Sequence, residues 1–251
     1  MASNTIYLIT GANRGIGLGL TSLLLSRPNT TVVATVRDKT TSTTSLLALP
    51  KAPGSELIIA YLSISTTSAL EIESAHKALA EDLETRGINR LDVLIANAGN
   101  GTSFKSAADT DLEDVVRDFH TNTLAPLSLY QTLLPLLQRS KAAKFIIIGS
   151  ILGSITSTTS APCLGYGISK TGTHYIAAKI HHEEEKMVVL VVHPGWVQTS
   201  TGQKFADSIG VEMPPMGVED SARGVVEQID KATKETISGC FVGWDGEVVP
   251  W

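Results

Sequence analysis

The sequence predicts an α/β fold: one doubly wound parallel sheet of about seven strands, with helices on both faces. Three observations predict it. Short apolar runs rich in β-branched residues recur along the 251 residues, with helical patterns between most of them. A glycine-rich turn from Gly11 to Gly17 follows the first run and leads into a helical pattern. Gly11, Asn97, Ser150 and Pro194-Gly195 stand just past the first, fourth, fifth and sixth runs, which places them on one edge of a parallel sheet, the edge where such sheets bind ligands.

Taken in order, Thr5-Ile6-Tyr7-Leu8-Ile9 reads as a buried strand, and Leu18 to Leu25 carries apolar residues at helical spacing. Further strands are predicted over 31–36, 56–62, 91–95, 144–148, 187–192 and 239–243. The Ser/Thr-rich stretches Thr40–Ser45 and Ser154–Ser160 read as surface loops, and no linker divides the chain, so 1–251 is expected to form a single domain. Ser200 to Met216, after the sixth strand, is expected to form a lid whose Pro214-Pro215, Met213 and Met216 supply an apolar wall.

Composition excludes several functions. The net charge is −5 and the Lys and Arg residues are scattered, so no footprint for nucleic acid exists. Cys163 and Cys240 are expected to remain reduced. The start, Met1-Ala2-Ser3-Asn4-Thr5, shows no leader, and no apolar run approaches the roughly 20 residues of a membrane helix, which points to a cytoplasmic protein without membrane contact. His181-His182 before Glu183-Glu184-Glu185 is read as a solvated helix end and not a metal site, because adjacent histidines point in different directions. His120 is read as structural or exposed.

A glycine turn at a helix start favours a phosphate group. Several backbone N–H groups there lack partners and the helix dipole is positive. Glycines at 11, 15 and 17 let the chain turn tightly and approach a ligand closely. The spacing is G-x-x-x-G-x-G rather than the commoner G-x-G-x-x-G. Far downstream, Tyr166 and Lys170 are four residues apart, so on a helix they share a face and reach one ligand. A free phenol titrates near ~10. A neighbouring ammonium, reinforced by a positive nicotinamide, is expected to lower that value.

Thr10-Gly11-Ala12-Asn13-Arg14-Gly15-Ile16-Gly17, Asn97-Ala98-Gly99, Ser150 and Tyr166-Gly167-Ile168-Ser169-Lys170, in this order, resemble the short-chain dehydrogenase/reductase family over nearly the whole chain. The resemblance implies a Rossmann-type fold in which residues 1–100 mainly bind a dinucleotide and residues 101–251 carry catalysis and substrate. It implies a homodimer or homotetramer acting on a small-molecule carbonyl substrate. Within the family the chain looks most like fungal ketoreductases of the norsolorinic acid type, through its Asn97-Ala98-Gly99 segment and its Asp245-Gly246 and Pro250-Trp251 ending. That implies a polyketide-like or aromatic secondary metabolite as substrate. A non-redox descendant, an isomerase or a cofactor-sensing protein, is the second reading, against which the intact Tyr166 and Lys170 count.

The resemblance assigns roles to residues. Gly11, Asn13, Arg14, Gly15, Ile16, Gly17, Ser63, Ile64, Asn97, Ala98 and Gly99 bind the cofactor, and Lys170 binds its nicotinamide ribose. Pro194 and Gly195 shape a turn from which Val197 and Thr199 contact the nicotinamide side. Where the family commonly has an acid for the adenine amine, Leu62-Ser63-Ile64-Ser65 offers only hydroxyls. Tyr166 is the proton donor, Ser150 the hydrogen-bond donor to the substrate oxygen. Asn122, in Asn122-Thr123-Leu124-Ala125, holds a relay water through its main-chain carbonyl at a helical kink. The usual serine-to-tyrosine interval lands on Gly153, so an insertion is placed within Ser154 to Leu164, with Ser154 as the runner-up serine. Leu152, Cys163 and Trp196 are the other expected substrate contacts.

Charge favours NADP(H). Val36 occupies the place where NAD-specific members have an acid, and Arg37 follows it with a forked, permanent cation for a 2′-phosphate, Arg14 being a second. Asp38 keeps the alternative open: an alignment slip of two would make it the acid that binds the ribose.

Overall fold

The computed structural model describes residues 4–251; Met1 to Ser3, part of the start read above for a leader, lie outside the described residues. Seven strands form one parallel sheet: β1 (Thr5–Ile9), β2 (Thr30–Val36), β3 (Glu56–Tyr61), β4 (Val93–Ala96), β5 (Lys144–Ile148), β6 (Val188–His193) and β7 (Phe241–Gly243). Their order is β3-β2-β1-β4-β5-β6-β7, every neighbouring pair parallel. The chain runs outward from β1 to β3 and then crosses back to place β4 beside β1. That reversal opens a crevice past their carboxyl ends.

Among the described residues eight α-helices cover the sheet: α1 (Gly15–Leu25), α2 (Thr44–Leu47), α3 (Ala69–Thr85), α4 (Leu112–Phe119), α5 (Ala125–Leu137), α6 (Leu164–Glu183), α7 (Ser200–Ser208) and α8 (Val218–Lys231). Because successive strand residues point to opposite faces, each apolar strand feeds two cores. Ile6, Leu8, Leu94, Phe145 and Ile147 pack with Leu79 and Leu83 of α3, Leu129 and Leu133 of α5 and Ala177 of α6. Tyr7, Ile9, Ile95, Ile146 and Ile148 pack with Leu20 and Leu24 of α1 and Val225 and Ile229 of α8. Leu8 is fully inaccessible, and truncation to Ala there costs roughly 2–5 kcal/mol.

Local chemistry sets the helix ends. Ser68 accepts from the Glu71 amide at the start of α3, an S-x-x-E pattern, and Thr199 accepts from the Gly202 amide at the start of α7. Between α4 and α5 the helix continues through a wider π-helical turn, His120–Leu124, of the kind that inserts a residue where function requires it. Among the described residues no helix is long and apolar enough to cross a membrane.

Candidate active site

A cavity of about 1080 Å³ opens along the carboxyl ends of the strands, from the glycine turn to the segment after β6. At its first end Gly15 has φ +53, a left-handed conformation suited to glycine, and a side chain on Gly17 would press into the Gly11 carbonyl and come within 2.7 Å of Asn97 Nδ2. No side chain caps α1, whose first amides follow directly from the turn. The site is thus a cradle in which backbone replaces side chain, and it fits a dinucleotide's phosphates. Gly11, Asn13, Arg14, Gly15, Ile16 and Gly17 all line the cavity.

Asn97 stiffens this cradle. Its Nδ2 donates to the carbonyls of Thr10 at 2.8 Å and Gly11 at 3.2 Å, while Thr10 Oγ1 accepts the amides of Asn97 and Ala98. The ends of β1 and β4 are therefore cross-tied where the crevice opens. Asn97, Ala98 and Gly99 line it, as do Pro194, Gly195, Val197 and Thr199 on the far side.

At the end of β2, Val36 is buried and lines the cavity, and Arg37 lines it from an exposed position. Asp38 lies outside the lining. Its Oδ1 accepts the amide and hydroxyl of Thr40 at 2.9 and 2.6 Å and those of Thr41 at 3.0 and 3.2 Å. These bonds hold its carboxyl below the usual range and turn it into its own loop. Arg14 Nη1 donates to Ser200 Oγ at 3.2 Å, linking the glycine turn to α7. Ser63 is a correction: it is exposed and outside the lining, while its neighbours Leu62 and Ile64, together with Thr66, line the cavity. Past the strand end the chain's turn aims 62 and 64 inward and leaves 63 to solvent.

Tyr166, Lys170 and Ser150 meet on the cavity floor. Tyr166 and Lys170 extend from α6, and Lys170 Nζ donates to the Ile148 carbonyl at 2.8 Å, with Nζ 5.7 Å from the Tyr166 ring centre. The Tyr166 ring is partly exposed, yet its hydroxyl is deeply enclosed. Burial, against the opposing Ser150 hydrogen bond, pushes the phenol up to about 12, and burial pulls the Lys170 ammonium down to about 8. The expected lowering of the phenol is thus reversed in the protein itself, because desolvation outweighs the hydrogen bond.

Ser150 is buried and lines the cavity. Two histidines fix its backbone: the Ser150 amide donates to His174 Nε2 at 3.4 Å and the Ile151 amide to His193 Nδ1 at 3.3 Å. Burial holds His174 at about 3 and His193 at about 4, so both rings are neutral acceptors near neutral pH. The runner-up, Ser154, is committed elsewhere. Its hydroxyl donates to the Pro250 carbonyl at 2.6 Å and accepts the Ser157 amide, outside the cavity lining.

Asn122 sits in the π-helical turn, outside the cavity lining, with its side chain engaged: Nδ2 donates to the Asn100 carbonyl and to Ser169 Oγ, and Oδ1 accepts the Asn100 amide. Thr121 lines the cavity in its place. Leu152 and Trp196 line it, whereas Cys163, at the start of α6, does not; burial raises its thiol. Met213, Pro214, Pro215 and Met216 also lie outside the lining. Their segment braces the one before it, through Gln198 N to the Met216 carbonyl and Gln198 Nε2 to the Pro214 carbonyl.

The wall is instead aromatic. Phe205 on α7 meets Trp196 with ring centres 5.4 Å apart and Phe104 at 5.3 Å, and Phe104 in turn meets Tyr166 at 5.6 Å. Sequence reasoning passed over Phe104, Phe205 and His193. The one available signal was the aromatic character of two residues near motifs, five positions past Gly99 and six past Thr199.

Comparison with known proteins agrees with this geometry. Residues 5–209 match the family described as short chain dehydrogenase. The norsolorinic acid ketoreductase of Aspergillus parasiticus is 40% identical over a 252-residue alignment covering 98% of this chain and 91% of that one. The norsolorinic acid ketoreductase stcE of Emericella nidulans is 36% identical, covering 98% and 94%. Among solved structures, an NADPH-bound carbonyl reductase from chicken fatty liver superposes with a TM-score of 0.82 at 29% identity, covering 99% of this chain and 100% of that one. The carbonyl reductase Sniffer of D. melanogaster does so with a TM-score of 0.81 at 27% identity, with the same coverage. A match across most of the chain, with the glycine cradle and the Tyr166–Lys170 pair on one sheet edge, means that this chain belongs to the short-chain dehydrogenase family of oxidoreductases.

Proposed function

We propose that the protein is an NADPH-dependent ketoreductase that converts a carbonyl to an alcohol on a polyketide-like or aromatic substrate. The observation that carries the reading is the meeting of Tyr166, Ser150 and Lys170 in the same cavity as the glycine cradle. Similarity to ketoreductases and to an NADPH-bound carbonyl reductase supports it. When bound, NADPH supplies the hydride that reduces the carbonyl carbon.

The chain's own residues do the rest. Arg37 at the end of β2 and Arg14 in the glycine turn both bring permanent charge to the cavity and are the partners of a 2′-phosphate, while buried Val36 presents no acid to repel it. Asp38 stands outside the cavity lining, with its Oδ1 bound to Thr40 and Thr41 in its own loop, which counts against its selecting a ribose hydroxyl. Ser150 donates a hydrogen bond to the carbonyl oxygen and stabilises its developing charge. Tyr166 then gives its proton to that oxygen, and the buried phenol, protonated up to about pH 12, is in the correct state to do so. Lys170, tethered to Ile148, keeps a cation beside the resulting phenolate and would hold the nicotinamide ribose when the cofactor is bound. Asn122 contributes through its main chain, since its amide is fully engaged.

The aromatic group formed by Phe104, Phe205 and Trp196 supports a flat, apolar substrate. The test is loss of NADPH absorbance with a panel of aryl and aliphatic ketones. Turnover of aryl ketones with NADPH is expected. Tight NADPH binding with no ketone reduced would instead favour a cofactor-binding protein without redox activity.

A further inference from the structure

Four side chains along one helical stripe bind, in reverse order, four positions of the loop that carries Phe104 into the cavity. Asn122 Nδ2 donates to the Asn100 carbonyl at 2.7 Å, and its Oδ1 accepts the Asn100 amide at 2.9 Å. Asp118 Oδ1 accepts both the amide and the hydroxyl of Thr102, at 2.9 and 2.6 Å. Asp114 accepts the Ser103 hydroxyl at 2.7 Å, and Asp111 pairs with the Lys105 ammonium at 2.8 Å. Asp114 and Asp118 share a face of α4, Asp111 stands just before it and Asn122 in the π-helical turn after it, so the bonds form a ladder of four rungs.

The rungs are unequal. Asp111 and Lys105 are exposed, where ion pairs contribute little, whereas Asp118 is fully inaccessible. Burial raises its carboxyl, and its second oxygen has no partner among the described residues. A buried acceptor without a partner is costly, and only the bonds from Thr102 to the other oxygen offset that cost. From the opposite side Lys204 on α7 donates to the Gly101 carbonyl at 3.3 Å. The loop is thus held between α4 and α7.

What the loop presents is the Phe104 ring. It folds back over Gly101, where a side chain would lie within 2.7 Å of its Cζ, and it meets the Tyr166 and Phe205 rings at tilts of 54° and 56°. Apolar packing is non-directional and would tolerate a shifted loop. Directional bonds at four sites along it do not, because a slip of one residue breaks every rung.

We propose that Asp118 is a positioning residue for substrate selection: by fixing Thr102 it holds the Phe104 ring beside Tyr166, so that the site takes flat aryl ketones by ring contact. The fate of the carbonyl rests on the reductase reading above; ring capture by Phe104 is measured separately from it. Binding of 2-acetylnaphthalene to the NADP⁺-loaded protein, followed by titration calorimetry, is the direct test.

Asp118→Ala and Phe104→Leu are each expected to weaken that binding by roughly tenfold, from the usual worth of an aromatic pair together with the apolar area lost. The double variant is expected to be no weaker than the worse single one, because both act through one ring. Asp118→Asn keeps an acceptor for Thr102 and is expected to restore most of the affinity. NADPH affinity of Asp118→Ala should change by less than about twofold, and its loss of binding for butan-2-one, which has no ring, should be clearly smaller than that for 2-acetylnaphthalene. If Asp118→Ala does not fold, Thr102→Val removes one rung from the loop side and carries the same expectation at smaller size. Additive losses in the double variant, an equal loss for butan-2-one, or a wild type that does not bind 2-acetylnaphthalene overturns the proposal. Binding of 2-acetylnaphthalene that responds to Asp118 but is never followed by reduction leaves the ladder standing and sinks the reductase reading.

Discussion

The Lys170 ammonium is anchored on the Ile148 carbonyl at 2.8 Å and stands 5.7 Å from the centre of the Tyr166 ring. Its position is therefore set by the end of β5 and not by the tyrosine. Burial moves the two groups in opposite senses, the phenol up to about 12 and the ammonium down to about 8. At neutral pH the pair is a neutral phenol beside a cation, the arrangement a proton donor needs. Above about pH 8 the cation is the first of the two to be lost.

A pH profile follows from that order. Deprotonation of Lys170 removes the charge that stabilises the phenolate, so kcat/KM for reduction should be level below about pH 8 and decline above it. Lys170→Arg, charged at every accessible pH, should move the declining limb upward. Profiles of both proteins decide the matter: a limb that stays near pH 8 in the variant belongs to some other group.

Removing the donor separates chemistry from binding. Tyr166→Phe keeps the ring that packs on Phe104 and should retain NADPH affinity while turnover falls by several orders of magnitude. Lys170→Ala should lower both turnover and cofactor affinity. Near-normal turnover in Tyr166→Phe would remove the tyrosine from the mechanism.

Ser150 and Ser154 should respond in opposite ways. Ser150→Ala should reduce turnover by about 10²-fold or more, comparable to loss of an oxyanion donor, with little change in melting temperature. Ser154→Ala breaks the bond to the Pro250 carbonyl, which is worth about 1 kcal/mol, and should lower Tm by roughly 2–4 °C with activity nearly intact. Kinetics and thermal unfolding on the two variants read this directly. Greater damage to turnover from Ser154→Ala would reassign the oxygen-binding hydroxyl.

The sheet was legible because strands buried on both faces carry continuous apolar runs, as Lys144–Ile148 and Val188–His193 do, and their observed limits differ from the expected ones by a residue or two. The floor of the site was legible where a residue type and its spacing impose the geometry, as Gly15, Gly17, Tyr166 and Lys170 do. Legibility failed where the direction of a side chain depends on the path of a loop. Ser63 and Ile64 are adjacent and chemically plausible as contacts, yet one faces solvent and the other the cavity. Nothing in the spacing of Asp111, Asp114 and Asp118 distinguishes one from another, and only the loop packed over them makes Asp118 a buried group. Phe104 and Phe205 lie far apart in sequence and become one wall only after α7 docks.

Cofactor choice supplies the last test. Arg37 lines the cavity at the end of β2 and Arg14 lines it from the glycine turn, while Asp38 lies outside the lining with its Oδ1 occupied by the amides and hydroxyls of Thr40 and Thr41. Wild type should therefore bind NADPH more tightly than NADH. Because both arginines are exposed, that preference should shrink as salt rises and screens the phosphate contact. Val36→Asp combined with Arg37→Ser places a carboxylate beside the 2′-phosphate and removes its principal cation, so NADPH binding should weaken substantially while NADH is unchanged or improved. Val36 is buried, so the unfolding temperature of the double variant must be followed alongside. Dissociation constants for both cofactors, at low and high salt, give the answer. A wild-type preference for NADH would mean that Asp38 releases Thr40 and Thr41 to bind the ribose, and that Arg37 is a surface residue.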